Sequence, residues 1–96
     1  MKVFDAFERI VVINLPERLD RRREMEAELR RAGIGAGDAR LRFFAGIRPV
    51  DAGLFPSVGA RGCFESHLGV IHEALRDRLG NVLVLEDDLL LHPAAC

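Results

Sequence analysis

Three consecutive carboxylates, Glu86, Asp87 and Asp88, directly follow an apolar run at residues 82–85. Adjacent carboxylates repel one another, and they lose solvation at the edge of a sheet. A bound Mg²⁺ or Mn²⁺ ion removes that cost, because such ions take one or two carboxylates together with phosphate oxygens. On extended backbone, Glu86 and Asp88 would point to one face and Asp87 to the other. The triplet therefore indicates a metal–diphosphate site, and an acidic turn that caps the following segment is the alternative.

A second polar group follows another apolar run, at residues 10–13. Asn14 ends this run, and Arg21 and Arg22 lie in the charged segment after Pro16. Arginine binds phosphate and carboxylate groups well, and a helix N-terminus attracts anions through its dipole. Arg22 interrupts the apolar positions of that segment, so it either extends to solvent or takes part in chemistry. Because acidic residues are interspersed with the arginines, a solvated helix face is the simpler interpretation.

A glycine-containing segment at residues 59–63 leads into Ser66 and His67. Small residues at the start of a helix allow another backbone or a ligand to approach closely. His67 falls on the apolar face of the predicted helix, where a histidine with satisfied hydrogen bonds in the core is the usual case. Cys63 is better explained as a small core side chain than as a nucleophile.

Apolar runs alternate with amphipathic stretches, and this pattern predicts the order β-α-β-α-β. Parallel strands joined by helices form a layered α/β sheet, in which ligands bind at the carboxyl ends of the strands. Asn14 and the acidic triplet are therefore expected to meet at one edge. The predicted strands cover residues 10–13, 41–45 and 82–85, and the predicted helices cover residues 17–32 and 62–79, ended by Gly33 and Gly80.

Composition limits the classes of protein. A chain of 96 residues forms one domain at most. Its 14 basic and 15 acidic residues give a net charge of −1, which argues against nucleic-acid binding. The first residues carry charges unlike a signal peptide, and no apolar run approaches the roughly 18–20 residues of a membrane span. We interpret the two cysteines as free thiols and expect a cytoplasmic protein, with a peripheral contact to the inner membrane left open.

Taken together, the three segments resemble glycosyltransferase family 25, the lipooligosaccharide galactosyltransferase-like family. The family's opening V-I-N-L is matched by residues 12–15, and its D-R-R-x-x-M-x-x-x-L helix is matched by residues 20–29. Its G-x-x-G-C-x-x-S-H segment is matched by residues 59–67, and its L-V-L-E-D-D by residues 83–88. Each motif alone is weak, but the three segments that hold them occur in the family's order and spacing.

The resemblance implies a single GT-A-like domain over residues 1–96, a Rossmann-like half of a nucleotide-sugar fold with a mainly parallel sheet. It also implies a hexosyltransferase that uses a UDP-hexose such as UDP-galactose with Mn²⁺ or Mg²⁺. The acceptor would be a lipooligosaccharide or another surface or lipid-linked glycan. The implied donor-binding residues are Asn14, Arg21, Arg22, Ser66, His67 and Asp87, and the implied metal ligands are Glu86 and Asp88.

The chain also departs from the family pattern. The family's G-E-I-G-C is Gly-Ala-Arg-Gly-Cys at residues 59–63, and no residue is a good candidate for the acceptor's general base. The acceptor-binding half would lie beyond Cys96, so we expect an incomplete domain with little transfer activity alone. Its exposed apolar surface would favour association with itself or another chain. The alternative is a non-catalytic, truncated α/β module that retains at most a nucleotide or metal site.

Overall fold

The three apolar runs form the three strands of one sheet. The structure is a computed structural model that describes residues 2–87. Asp88, one of the two expected metal ligands, therefore lies outside the described residues. The elements in chain order are a 3₁₀ helix at Lys2–Ala6, strand β1 at Ile10–Asn14, helix α1 at Leu19–Arg31, strand β2 at Leu41–Ala45, helix α2 at Val58–Arg76 and strand β3 at Leu83–Glu86.

All strand pairs in this sheet are parallel, and the strand order is β2-β1-β3. Asn14, the last residue of β1, is paired with Ala45 of β2, and Ile13 is paired with Glu86 of β3. The carboxyl ends of the three strands therefore lie side by side. This arrangement confirms the predicted α/β class, the parallel sheet and the element order.

Helix α1 covers one face of the sheet. Ile10 and Val12 of β1 are 0% exposed, and their face of the sheet packs against α1. The central strand is thus buried on both sides, as its continuous β-branched run predicts. The core on the α1 face consists of Ile10, Val12, Met25, Leu29, Ile34 and Leu85.

Helix α2 covers the opposite face, where it contacts β1 and β2. A β-carbon added to Gly69 would lie only 2.6 Å from the Phe44 ring, so the helix packs directly on this aromatic side chain. Val70 and Ala74 are buried along the same helix. The outer side of α2 remains apolar and exposed at Phe64, Leu68, Ile71 and Leu75.

The start of α2 differs from the prediction. The helix begins at Val58 and not at residue 62, because the Ser57 hydroxyl accepts a 3.0 Å hydrogen bond from the Ala60 N–H. A serine in this position stabilises a helix start by satisfying one of its unpaired donors. Gly59, which the sequence analysis places before the helix, lies in its first turn.

Both helices end with the same hydrogen-bond pattern. After α1, Ile34 N–H bonds to Leu29 C=O at 2.8 Å, with the left-handed Gly33 (φ 92°) between them. This is a Schellman motif, and the predicted stop at Gly33 is confirmed. After α2, Leu79 N–H bonds to Ala74 C=O at 3.0 Å, and Arg78 takes the left-handed position at φ 57°. Helix α2 therefore ends before the predicted glycine at residue 80.

No helix within residues 2–87 has the length and apolar character needed to cross a membrane.

Candidate functional site

A cavity of about 380 Å³ lies at the carboxyl edge of the sheet. Every strand end contributes to it: Leu15 follows β1, Gly46 follows β2, and Asp87 follows β3. The first turns of α2 form the remaining wall. This is the edge at which parallel α/β sheets bind ligands, and it is where the sequence predicts a site. Glu86, Asp87 and Ser66, three of the expected site residues, line this cavity.

Asn14 contacts Asp87 from within the protein. Its Nδ2 atom donates to Asp87 Oδ2 at 3.0 Å and to the Arg18 carbonyl oxygen at 3.2 Å. The Asn14 side chain is only 5% exposed, and it is not among the residues that line the cavity. Asn14 thus holds one carboxylate oxygen of Asp87 in place, across 73 residues of sequence.

Glu86 and Asp87 point to opposite faces of the sheet, as predicted for consecutive residues on extended backbone. Asp87 contacts Asn14, whereas the Glu86 carboxylate lies 3.6 Å from Cys63 Sγ on α2. Within residues 2–87, Cys63, His67 and Glu86 form a group whose potential ligand atoms all lie within 4.8 Å of one another. The sequence did not indicate this group, because its members come from two separate motifs.

The chemistry of that group is limited by its sulfur. Cys63 is disulfide-bonded, so the interpretation of this residue as a free thiol is wrong; Cys96 lies outside the described residues. A disulfide sulfur is not a thiolate, which is the form of cysteine that binds metals. His67 Nδ1 lies 2.8 Å from the Cys63 carbonyl oxygen and donates its proton there. The Nε2 atom of His67 and the Glu86 carboxylate are then the acceptor groups of this cluster.

Ser66 shapes the cavity wall through a backbone contact. Its side chain is 2% exposed, and its hydroxyl oxygen accepts a 2.8 Å hydrogen bond from the Ile47 N–H. The preceding N–H, that of Gly46, donates to the Asn14 carbonyl oxygen at 2.9 Å. Two successive backbone groups of the segment after β2 are therefore fixed to buried partners.

Gly62 allows a backbone to approach the helix closely. A β-carbon at this position would lie 2.5 Å from the Ile47 carbonyl oxygen. The sequence left open whether the small residues here admit a ligand or another backbone, and the structure shows a backbone at Gly62. Gly59, one turn earlier, lines the cavity and has only the Ser57 hydroxyl near it, at 3.8 Å.

Arg21 and Arg22 of α1, both expected at the donor site, lie away from the cavity. Arg22 lies over the Phe43 ring, with its guanidinium carbon 4.1 Å from the ring centroid, and Glu26 is 4.0 Å away. Arg21 Nη1 is buried with no hydrogen-bond partner among the described residues. Neither residue belongs to the cavity lining. At the start of the helix, two hydrogen bonds from Arg18 lower the pKa of the Asp20 carboxyl far below its usual range.

Arg48 is a cavity residue that the sequence analysis missed. It is the one basic side chain in the lining among the described residues, and its Nη2 atom lies 2.7 Å from Glu17 Oε2. Both side chains are largely exposed. No local sequence pattern marks Arg48, because it lies in an irregular segment and becomes part of the site only through the fold.

Comparison with known proteins shows a similarity to part of a longer relative. The chain is 30% identical over 104 residues to a protein described as "Glycosyltransferase 25 family member" from Drosophila melanogaster. The alignment covers 92% of this chain and 17% of that relative. The match supports glycosyltransferase family 25. No family model matches the chain, and no solved structure matches it.

Three of the segments that resemble family 25 lie close together in the fold. The strand ending at Asn14, the segment at residues 59–67 and the strand ending at Glu86 are far apart in sequence, yet they meet around one cavity. A resemblance carried by three separate motifs would have little meaning if the fold dispersed them. The fold brings these three segments together at the edge where ligands of such sheets bind, whereas the matched helix at residues 20–29 contributes no residue to the cavity lining.

Proposed function

We propose that this chain carries the donor site of a family 25 glycosyltransferase and binds a nucleotide sugar, a UDP-hexose such as UDP-galactose. The observation that supports this most is the cavity of about 380 Å³, which the acidic end of β3 and the segments after β1 and β2 enclose together. Its volume falls in the range of small-molecule sites, which is about 300–1,000 Å³. The similarity to a family 25 member supplies the reaction class.

The carboxylates of this edge suit a divalent cation. Glu86 and Asp87 line the cavity, and Asp87 keeps one oxygen outside its bond to Asn14. Carboxylate oxygens are the ligands that Mg²⁺ and Mn²⁺ prefer, with further positions taken by phosphate oxygens and water. We assign Glu86 as a metal ligand. From the sequence alone, we propose Asp88 as the second ligand. A bound ion would neutralise charge on the diphosphate leaving group.

Asn14 and Ser66 would hold other groups of the site in place. Asn14 keeps Asp87 oriented toward the cavity, and Ser66 fixes the wall after β2. In the transfer, the acceptor oxygen bonds to the anomeric carbon of the sugar while the bond to the UDP oxygen breaks. We propose a lipooligosaccharide or other surface or lipid-linked glycan as the acceptor. The proton of the acceptor hydroxyl passes to a base that we do not assign among the described residues.

We also propose where the protein acts. A peripheral contact with the inner membrane would bring a lipid-linked acceptor to the site. The disulfide-bonded Cys63 does not favour the cytoplasmic location expected from the sequence, because disulfides persist mainly in oxidising compartments.

Titration calorimetry with UDP in the presence of Mn²⁺ tests this function. We expect the parent chain to bind UDP, and Glu86→Gln and Asp88→Asn to weaken Mn²⁺-dependent binding about tenfold or more, as for the loss of a charged contact. Glu73→Gln, an exposed position on α2, is the matched control and should bind as the parent does. A parent chain that binds no UDP with or without Mn²⁺ would contradict the proposed donor site. Equal affinities in the parent and Glu86→Gln would show that Glu86 is not a metal ligand.

A further inference from the structure

We propose that Arg48 recognises the diphosphate of the donor and that Glu17 holds it in place until the donor binds. This inference rests on the proposed function, because it names the residue that would contact the phosphates in the same cavity. Arg48 belongs to none of the motifs found in the sequence.

The charges around the cavity lead to this assignment. Its lining carries two carboxylates, Glu86 and Asp87, at the end of β3, and one basic group, Arg48, after β2. A diphosphate placed there would be repelled by the two carboxylates unless cations compensate for them. A divalent ion can supply positive charge beside the two carboxylates. Among the described lining residues, Arg48 can supply it on the opposite side of the cavity. A guanidinium also matches phosphate oxygens in geometry, because it donates two parallel hydrogen bonds.

The backbone of Arg48 is held between fixed neighbours. Ile47 donates its N–H to the buried Ser66 hydroxyl, and the Ile47 carbonyl oxygen packs against Gly62 of α2. Pro49, on the other side, also packs against Gly62, with its Cδ atom 3.2 Å from the position of an added β-carbon. The side chain can therefore move while its point of attachment stays at the cavity, so little backbone ordering opposes ligand binding.

The present partner of Arg48 can be exchanged at low cost. The pair with Glu17 is 2.7 Å long, but the two side chains are 64% and 54% exposed. Exposed ion pairs contribute little net free energy, because water solvates both charges nearly as well. A diphosphate carries more charge than one carboxylate and would replace Glu17 as the partner. Glu17 would therefore compete with the ligand for Arg48.

The test compares UDP, uridine and inorganic pyrophosphate by NMR titration of the ¹⁵N-labelled 96-residue chain, with and without Mg²⁺. We expect Arg48→Gln to weaken binding of UDP and of pyrophosphate about tenfold and to leave uridine binding unchanged. Glu17→Gln should strengthen UDP binding severalfold, because the competing carboxylate is gone. Arg31→Gln is the matched control: this exposed arginine pairs with Glu28 on α1, and its loss should change no affinity.

The outcomes separate this inference from the function on which it rests. Equal UDP affinity in the parent and Arg48→Gln would overturn the role of Arg48 and leave the donor site standing. An equal loss of UDP and uridine binding in Arg48→Gln would show a structural effect and would also overturn it. A parent that binds pyrophosphate through Arg48 but binds neither UDP nor uridine would support the anion site and overturn the nucleotide-sugar proposal. A parent that binds none of the three probes, with or without Mg²⁺, would overturn both.

Discussion

At the scale of single residues, the site depends on side chains that orient other side chains. Asn14 is buried and uses both hydrogens of its Nδ2 group, one for the backbone at Arg18 and one for Asp87. An amide suits this position because it donates to a carboxylate without adding charge. A second carboxylate in its place would confront Asp87 at hydrogen-bond distance with no proton between them.

We therefore predict that Asn14→Asp lowers the free energy of unfolding by about 1–3 kcal/mol at neutral pH, the usual cost of a buried polar group that loses its partner. The double variant Asn14→Asp with Asp87→Asn should regain part of this loss, since the new amide can donate to the new carboxylate while the bond to the Arg18 carbonyl oxygen stays lost. Urea denaturation of the two variants and the parent measures both effects. A double variant that is no more stable than Asn14→Asp would show that the contact between these two residues is not the cause.

Some features of the site follow from the local sequence, and others depend on contacts between distant residues. The opposite directions of Glu86 and Asp87 follow from backbone alternation, so they were predictable. The position of Arg48 depends on how the segment after β2 packs against α2. No local sequence pattern predicts this packing. The bonded state of Cys63 was predicted wrongly, because cysteine count alone does not determine pairing.

At the scale of elements, strands were easier to predict than helix ends. The β-branched and apolar runs gave β1 and β3 to within one residue at each end, since only a sheet buried on both faces accommodates such runs. The predicted start of α2 is four residues late, because the sequence analysis extends the preceding loop to Gly59 and does not consider Ser57 as a helix cap. In the fold, Gly62 is required by packing and Gly59 is not.

This difference gives a paired prediction. Gly62→Ala should destabilise the protein by about 1–3 kcal/mol, the typical cost of overpacking, because its methyl group would meet the Ile47 carbonyl oxygen. Gly59→Ala has open space around it and should stabilise α2 by up to about 1 kcal/mol, since alanine favours helices over glycine. Thermal unfolding of both variants, followed by circular dichroism, compares them directly. Equal shifts of the midpoint in one direction would contradict the close approach at Gly62.

At the scale of the whole molecule, polar contacts join the beginning of the chain to the end of α2 and to the turn between α2 and β3. Glu8 N–H donates to Asn81 Oδ1 at 2.9 Å, and Asn81 Nδ2 donates to the Ala6 carbonyl oxygen at 2.7 Å. Arg9 reaches Asp77 at 2.8 Å, across 68 residues. These contacts lie at the opposite end of β1 from the cavity, so they should affect folding without affecting the site.

The ion pairs of Asp77 give the molecule a specific acid response. Hydrogen bonds from Arg76 and then Arg9 lower the pKa of the Asp77 carboxyl from its ordinary value of 3.8 to about 2. A carboxyl whose pKa is lower in the folded state stabilises the fold above the unfolded pKa, and this contribution disappears as pH falls through the folded pKa. Stability from Asp77 should therefore be complete above about pH 4 and lost by about pH 2.

We predict that Asp77→Asn is less stable than the parent at pH 5 and that this difference shrinks toward zero near pH 2. Urea denaturation at several pH values between these limits measures it, and added salt should reduce the difference because both partners are partly exposed. Glu24→Gln, which removes an exposed carboxylate on α1, is the control and should not reproduce this pH dependence. If the stability difference for Asp77→Asn stayed constant from pH 5 to pH 2, its cause would be a lost uncharged contact. The link between the beginning of the chain and the end of α2 would then not depend on the charge of Asp77.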